Sequence, residues 1–431
     1  MPSARRWGVW AIPTFLFLIA FFHRPAPGVF ARELMDDFGL TGAAVGLVSA
    51  AYFYSYAGFM IPAGVLVDAL GVRRVVSVGG AVMGAGALLM AAASTAGLLF
   101  GGRLVIGLGA TVTFVGALKV AATWFPPSQF GTLAAVTATV GVLGSLVATV
   151  PLAWMVGAVG WRGALAIVGG VTLGAAALCA WLVRDRPAGP GLPAAGRPGL
   201  GEVVAGMGRV LLNPYTWPPF LAFFCIYAAA GNQMLWLVPY LRDVYGLPTT
   251  TAASHAMATA LALLVAGPAT GFVSDRVARR RKLPYVVLNL ASFGLWTVFI
   301  ATLGRLPLPS LFGLLFLMGV AGGAFVLTWP MGREVNPPEL AGVAVAVVNL
   351  GGFLGAALTQ GLLGAVLDAH WTGTVAAGAR VYPIEAYRAA FGACALFALG
   401  AALCSLLVRE THGRNVYAEL SARRRRPPPA A

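Results

Sequence analysis

The sequence predicts an all-α membrane protein of twelve transmembrane helices in two six-helix pseudo-symmetric bundles. Three observations carry that prediction: an extreme composition, twelve long apolar runs, and an internal repeat. Of 431 residues, 59% are hydrophobic and 10% charged, against about 45–50% and about 25% in soluble domains. A water-soluble enzyme is excluded. At about 20 residues per span, twelve helices need about 240 residues, which leaves little for a separate soluble domain.

The apolar runs read as helices near 7–30, 41–67, 75–96, 98–124, 129–158 and 161–183, then 215–240, 250–273, 284–304, 308–331, 339–367 and 386–408. Arg5 and Arg6 precede the first run, which is too long for a signal-peptide core and is expected to be a retained helix. Between the series, Pro187, Pro190, Pro193 and Pro198 with Arg184, Asp185, Arg186 and Arg197 make a stretch too broken and polar to span. The expected units are a six-helix bundle over 1–183, a cytoplasmic linker over 184–213, a second bundle over 214–410, and a basic cytoplasmic tail over 411–431.

The repeat can be checked position by position. Pro126, Pro127, Gly131, Gly141 and Gly144 recur as Pro337, Pro338, Gly342, Gly352 and Gly355, each displaced by 211, while Gly64 and Asp68 recur as Gly271 and Asp275. Parallel six-helix repeats characterise one transporter architecture, with its substrate site between the halves near the bilayer midplane. The net charge of +15 could suggest a nucleic-acid partner, but the placement of the basic residues decides otherwise. With both termini inside, 20 of the 29 Lys and Arg fall on the cytoplasmic side, which fixes the expected orientation in the inner membrane. Cys179, Cys225, Cys394 and Cys404 lie in apolar runs without metal-ligand spacing and read as small packing residues.

The loop from Gly64 through Asp68 and Gly71 to Arg73 and Arg74 closely resembles the loop between helices two and three of the major facilitator superfamily. Its second copy runs from Gly271 through Asp275 and Arg276 to Arg281. Arg103 through Gly107 to Gly109 resembles the superfamily's fourth-helix motif, and Gly160-Trp161-Arg162 stands where its sixth helix usually begins. Ala69 departs from the usual arginine after the loop aspartate. A glycine at such a loop permits close helix approach, and its aspartate can meet the positive end of a helix in the other half. Asp68 is thus expected to latch toward the helix after Pro338 and Asp275 toward the helix after Pro127, with Arg73, Arg74, Arg103 and Arg276 completing a gating set.

Arg24 interrupts an apolar helix in His23-Arg24-Pro25. A buried ionised side chain is costly unless it faces a cavity or counter-ion, so it is a candidate substrate residue. The segment resembles the first-helix arginine of organic-anion and phosphate-ester members of the superfamily. Lys119, Tyr52, Tyr56, Tyr227, Asn232, Gln233, Trp236 and Asn349 are further candidates for the cavity, as positive, hydrogen-bonding or aromatic groups on cavity-forming helices. His23 is the candidate proton carrier. All 14 acids fall at helix ends or in loops, so the cavity is expected to attract anions and repel cationic drugs, polyamines and metal ions. The glycine–proline step common in helix five of the superfamily's antiporters is absent from Gly141 to Pro151, which argues against drug/proton exchange.

The expected function is secondary transport of a small organic anion, with symported protons, by a monomer in the lipid bilayer. Neither a cofactor, nor a metal, nor nucleic acid is expected as a partner. An exporter of amphipathic compounds or a siderophore is the alternative. A membrane enzyme is disfavoured because no nucleophile–base pair or metal cluster is legible.

Overall fold

The computed structural model describes residues 3–185 and 200–425, so Arg186, Gly196, Arg197 and the last six residues of the tail lie outside the described residues. Twelve helices are long and apolar enough to cross a membrane. Those of the first half are Arg5–Phe22, Gly42–Leu70, Val72–Ala91, Ala96–Trp124, Gln129–Val147 and Val150–Leu182. Pro214–Tyr245, Thr249–Val277, Lys282–Ala301, Leu308–Glu334, Pro338–Ala369 and Ile384–Leu407 make the second, and they are numbered here as spans 1 to 12.

Local chemistry sets several boundaries. Thr41 and Thr95 cap spans 2 and 4, their hydroxyls accepting from the backbone N–H of Ala44 at 3.2 Å and Leu98 at 3.3 Å. Span 6 contains a reversal at Gly160, whose φ of 70° and ψ of 167° are open only to glycine at low cost. Val150–Val159 therefore extends span 5, and the return helix begins at Trp161, as the sequence reading had it.

Span 1 departs from the expected helix over 7–30. It ends at Phe22, and after a turn at His23-Arg24-Pro25 the chain forms two short helices, Ala26–Val29 and Ala31–Phe38. Pro25 has no N–H and clashes with the preceding turn, which favours a kink or break; here the helix stops, although spans 1, 2, 7 and 8 continue through Pro13, Pro62, Pro239 and Pro268. The expected linker contains a described helix, Leu200–Leu211, and the tail another, Tyr417–Arg425.

The repeat is built into the packing. A Cβ at Gly141 would lie 2.6 Å from the Phe17 ring, and one at Gly352 would lie 2.6 Å from the Phe223 ring. Gly144 faces the backbone carbonyl of Leu18, and Gly355 faces that of Phe224. Spans 1 and 5 thus pack as spans 7 and 11 do, with spans 1 and 7 in register at an offset of 206.

The halves are tied at the end expected outside, hereafter the outer end. Arg32 pairs with Asp243 at 2.8 Å and Arg242 with Glu33 at 3.1 Å. The Asp368 carboxylate accepts the N–H groups of Gly42 and Ala43, both at 2.8 Å, and is itself held by Arg380 and the Tyr382 hydroxyl. Among the described residues, the ion pairs at the inner end do not join spans 1–6 to spans 7–12. Lys119–Asp68 lies within the first half, and Arg281–Asp275 and Arg281–Glu334 lie within the second.

Candidate functional site

The break in span 1 delivers Arg24 into the seam between the halves. Its guanidinium carbon lies 3.7 Å from the Phe21 ring centre, 5.2 Å from Phe353 and 5.5 Å from Tyr56. Nη1 donates to the Tyr227 hydroxyl at 3.3 Å. Arg24 is 5% exposed and its Nε is buried without a partner. Among the described residues no carboxylate lies within ion-pairing distance of it. Faces of aromatic rings stabilise a cation by about 0.5–2 kcal/mol, well short of the cost of burying an unpaired charge.

A largely apolar cavity adjoins this cluster. Phe21, Pro25 and Tyr227 line it, together with Ser145, Thr149 and Gln233. Arg24 itself stands one side chain behind the wall formed by Phe21 and Tyr227.

The other candidates are distributed around the cavity rather than gathered in it. Tyr52 is buried, donates to the Ala20 carbonyl at 3.1 Å, and stacks on Tyr56, which stacks on Phe353 across the seam with centroids 4.3 Å apart. Gln233 lines the cavity and its Nε2 lacks a partner, while the adjacent Asn232 turns to span 11 and donates to Thr359 Oγ1 and the Ala228 carbonyl, both at 2.8 Å. Trp236 packs edge-on against Tyr382, toward the outer end. Asn349 accepts from Trp329 Nε1 at 3.0 Å and its amide meets the Met60 sulfur at 3.3 Å, joining spans 11 and 2.

Arg103 is fully buried and its Nε, like that of Arg24, has no partner, but both its Nη atoms are taken up by backbone carbonyls. Nη1 donates to the His23 carbonyl at 2.7 Å and Nη2 to the Ser49 carbonyl at 3.3 Å, so the residue pins the broken end of span 1 to span 2. The His23 ring is buried and its Nε2 lacks a partner. Lys119 is turned away, pairing with Asp68 at 2.7 Å where both side chains are about half exposed.

The expected latches engage their own halves here. Asp68 meets Lys119 and Asp275 meets Arg281, rather than the helices after Pro338 and Pro127. Nothing lies within 4 Å of a Cβ placed at Gly64 or Gly271, so the close helix approach expected there is not made in this structure. Arg73 donates from Nε to the Ala180 carbonyl at 2.6 Å and from its backbone to Asp185 at 2.9 Å, while Arg74 and Arg276 are exposed.

Sequence reasoning missed Phe21 and Phe353, whose aromatic faces cover Arg24, and the outer ties at Asp368 and at the doublets Arg32-Glu33 and Arg242-Asp243. The doublets carried a signal: two adjacent opposite charges at the same end of each half.

Comparison with known proteins agrees with this architecture. The sequence pattern of the Major Facilitator Superfamily matches residues 13–360. A probable sulfoacetate transporter of Cupriavidus necator is 26% identical over 276 residues, covering 62% of this chain and 64% of that protein, just under two thirds of its length. A probable galactarate/D-glucarate transporter of Bacillus subtilis is 23% identical over 406 residues, covering 85% and 88%. The crystal structure of a bacterial homologue of the human lysosomal transporter Spinster, inward-facing and unoccupied, superposes with a TM-score of 0.78 at 17% identity, over 95% of this chain and 98% of that one. With twelve spans in two related halves and a pattern matched over most of its length, the chain belongs to the Major Facilitator Superfamily.

Proposed function

We propose that this protein moves a small organic anion, a carboxylate or phosphate ester, across the cytoplasmic membrane by alternating access. One observation carries the reading: Arg24 is a buried guanidinium beside a cavity, with aromatic faces and the hydroxyls of Tyr52, Tyr56 and Tyr227 around it and no described carboxylate to neutralise it. A substrate anion supplies the missing counter-charge, and a bidentate carboxylate, sulfonate or phosphate suits the planar fork. Relatives that carry organic anions support the same class. His23 is the group proposed to carry a coupled proton: it precedes Arg24 in the chain, its ring is buried and its Nε2 has no partner, and an anion bound at Arg24 would lower the cost of charging it.

The test is ligand-dependent thermal stabilisation of purified protein against carboxylates, phosphate esters, sulfonates, amino acids and cations. Anions are expected to stabilise and cations to have no effect. Arg24→Ala should abolish the shift and Arg24→Lys restore it in part; unchanged affinity in Arg24→Ala would sink the proposal. The apolar walls of the cavity favour a second reading, export of amphipathic compounds or a siderophore. In that case neutral or cationic amphipaths stabilise as well as anions do.

A further inference from the structure

The cavity is chemically lopsided, and pseudo-symmetry shows how. At the offset of 206 that aligns spans 1 and 7, Phe21 corresponds to Tyr227, and both flank Arg24 and line the cavity. Arg24 itself corresponds to Ala230, another lining residue. The first half therefore contributes a guanidinium where the second contributes a methyl group. The other buried cation of the region, Arg103, is committed to two backbone carbonyls, and Lys119 to Asp68. One fixed positive charge adjoins the cavity among the described residues.

Beyond Arg24 the space runs into the second half, between Leu237, Leu263, Met318, Phe325 and Trp296. Those walls can bury a ligand's carbon skeleton at about 25 cal/mol per Å²; the second half adds the hydroxyls of Thr259 and Ser292 and the Gln233 amide but no cation, so a second carboxylate or a full row of hydroxyls would be left partly unpaired, at about 1–3 kcal/mol for each group stripped of water.

Resting on the anion reading above, we infer that the ligand is a monoanion with an apolar body: its single carboxylate or sulfonate meets Arg24 and its aromatic or branched aliphatic end lies in the second-half pocket. Phenylacetate has this form, whereas D-glucarate, with two carboxylates and four hydroxyls, does not. Sulfoacetate likewise brings a second charge without an apolar body.

The test compares phenylacetate, acetate, sulfoacetate, D-glucarate and benzyl alcohol by titrated thermal stabilisation, which yields a Kd for each. Phenylacetate is expected to bind at least tenfold tighter than acetate or D-glucarate, and benzyl alcohol at least tenfold weaker than phenylacetate. Arg24→Ala should remove the advantage of phenylacetate over benzyl alcohol. Ala260→Phe, which fills the pocket from span 8, should weaken phenylacetate about tenfold and leave acetate unchanged. Because the wild-type panel is decisive alone, a poorly folded variant does not spare the inference. Arg24-dependent binding of D-glucarate or sulfoacetate, with phenylacetate no tighter than acetate, would overturn the apolar-body inference and leave the anion reading standing. Benzyl alcohol binding as well as phenylacetate, or no anion binding at all, would overturn both.

Discussion

At the scale of single residues, the two buried arginines separate by what surrounds them. Arg103 donates to the His23 carbonyl, freed where span 1 stops being helical, and to the Ser49 carbonyl within span 2, so its work is to hold the break. Charge-assisted bonds of this kind contribute about 1.5–3 kcal/mol each, and their loss leaves the His23 carbonyl without this donor. Arg103→Met should therefore lower the melting temperature of unliganded protein markedly, whereas Arg24→Met, which removes a charge without a carboxylate partner, should leave it unchanged or raise it. Differential scanning fluorimetry of the two variants checks this; equal losses would mean that Arg24 is structural as well. Arg24 was legible in the sequence because a charge inside an apolar run has few explanations. Of its surroundings, Tyr56 and Tyr227 were legible as cavity candidates, but Phe21 and Phe353 were not, since they come from different helices and nothing in the spacing announces that they meet over Arg24.

Helices and their junctions were read better than the contacts at their ends. Of the glycines repeated at an offset of 211, Gly141, Gly144, Gly352 and Gly355 are packing positions, whereas Gly131 and Gly342 face open space: replacing Gly144 or Gly355 would drive a side chain into the backbone of span 1 or span 7. The loop aspartates were legible as a pair, but a loop's partner depends on which end of the molecule is open, and no single sequence encodes that. Inner-end loops of the second half converge instead on Glu410, which follows span 12. Its carboxylate accepts the N–H groups of Arg281 at 2.8 Å, Lys282 at 3.1 Å, and Thr411 and His412 at 3.0 Å. Partial burial opposes ionisation there, but the four backbone donors outweigh it and hold the carboxyl below the ordinary glutamate value of 4.5. With the folded value depressed, the stabilisation is present above about pH 4.5 and is lost as pH falls through the folded value. Glu410→Gln should melt below wild type at pH 7, and the gap should close as pH is lowered from 5 toward 3. A constant gap across that range would remove the linkage.

The whole molecule is held in its present state by ties at one end. Asp368 sits on the N-terminus of span 2, where the helix dipole and two N–H groups favour a carboxylate, and the charge doublets cross so that each half offers one acid and one base. The proposed alternation of the two halves requires such ties to be modest: about 1.4 kcal/mol shifts a two-state population tenfold, and partly exposed ion pairs contribute about 1 kcal/mol or less. Loosening them should therefore shift the population measurably without unfolding either half, because spans 1–6 and 7–12 keep their own packing. The Glu33–Arg242 pair is the cleanest probe, since Asp243 also accepts from the Tyr382 N–H and the Tyr387 hydroxyl. Glu33→Lys should set two cations together and open the outer end; Arg242→Glu should do the same with two anions. The double substitution restores opposite charges and should restore the closed distribution. Spin labels on single cysteines at Ser94 and Thr372, exposed positions at the outer end of each half, read the outcome as a distance. A longer distance is expected in each single variant and the wild-type distance in the double. If the double variant stays open, the pair contributes through shape or packing, and charge complementarity across the seam is not what keeps the outer end shut.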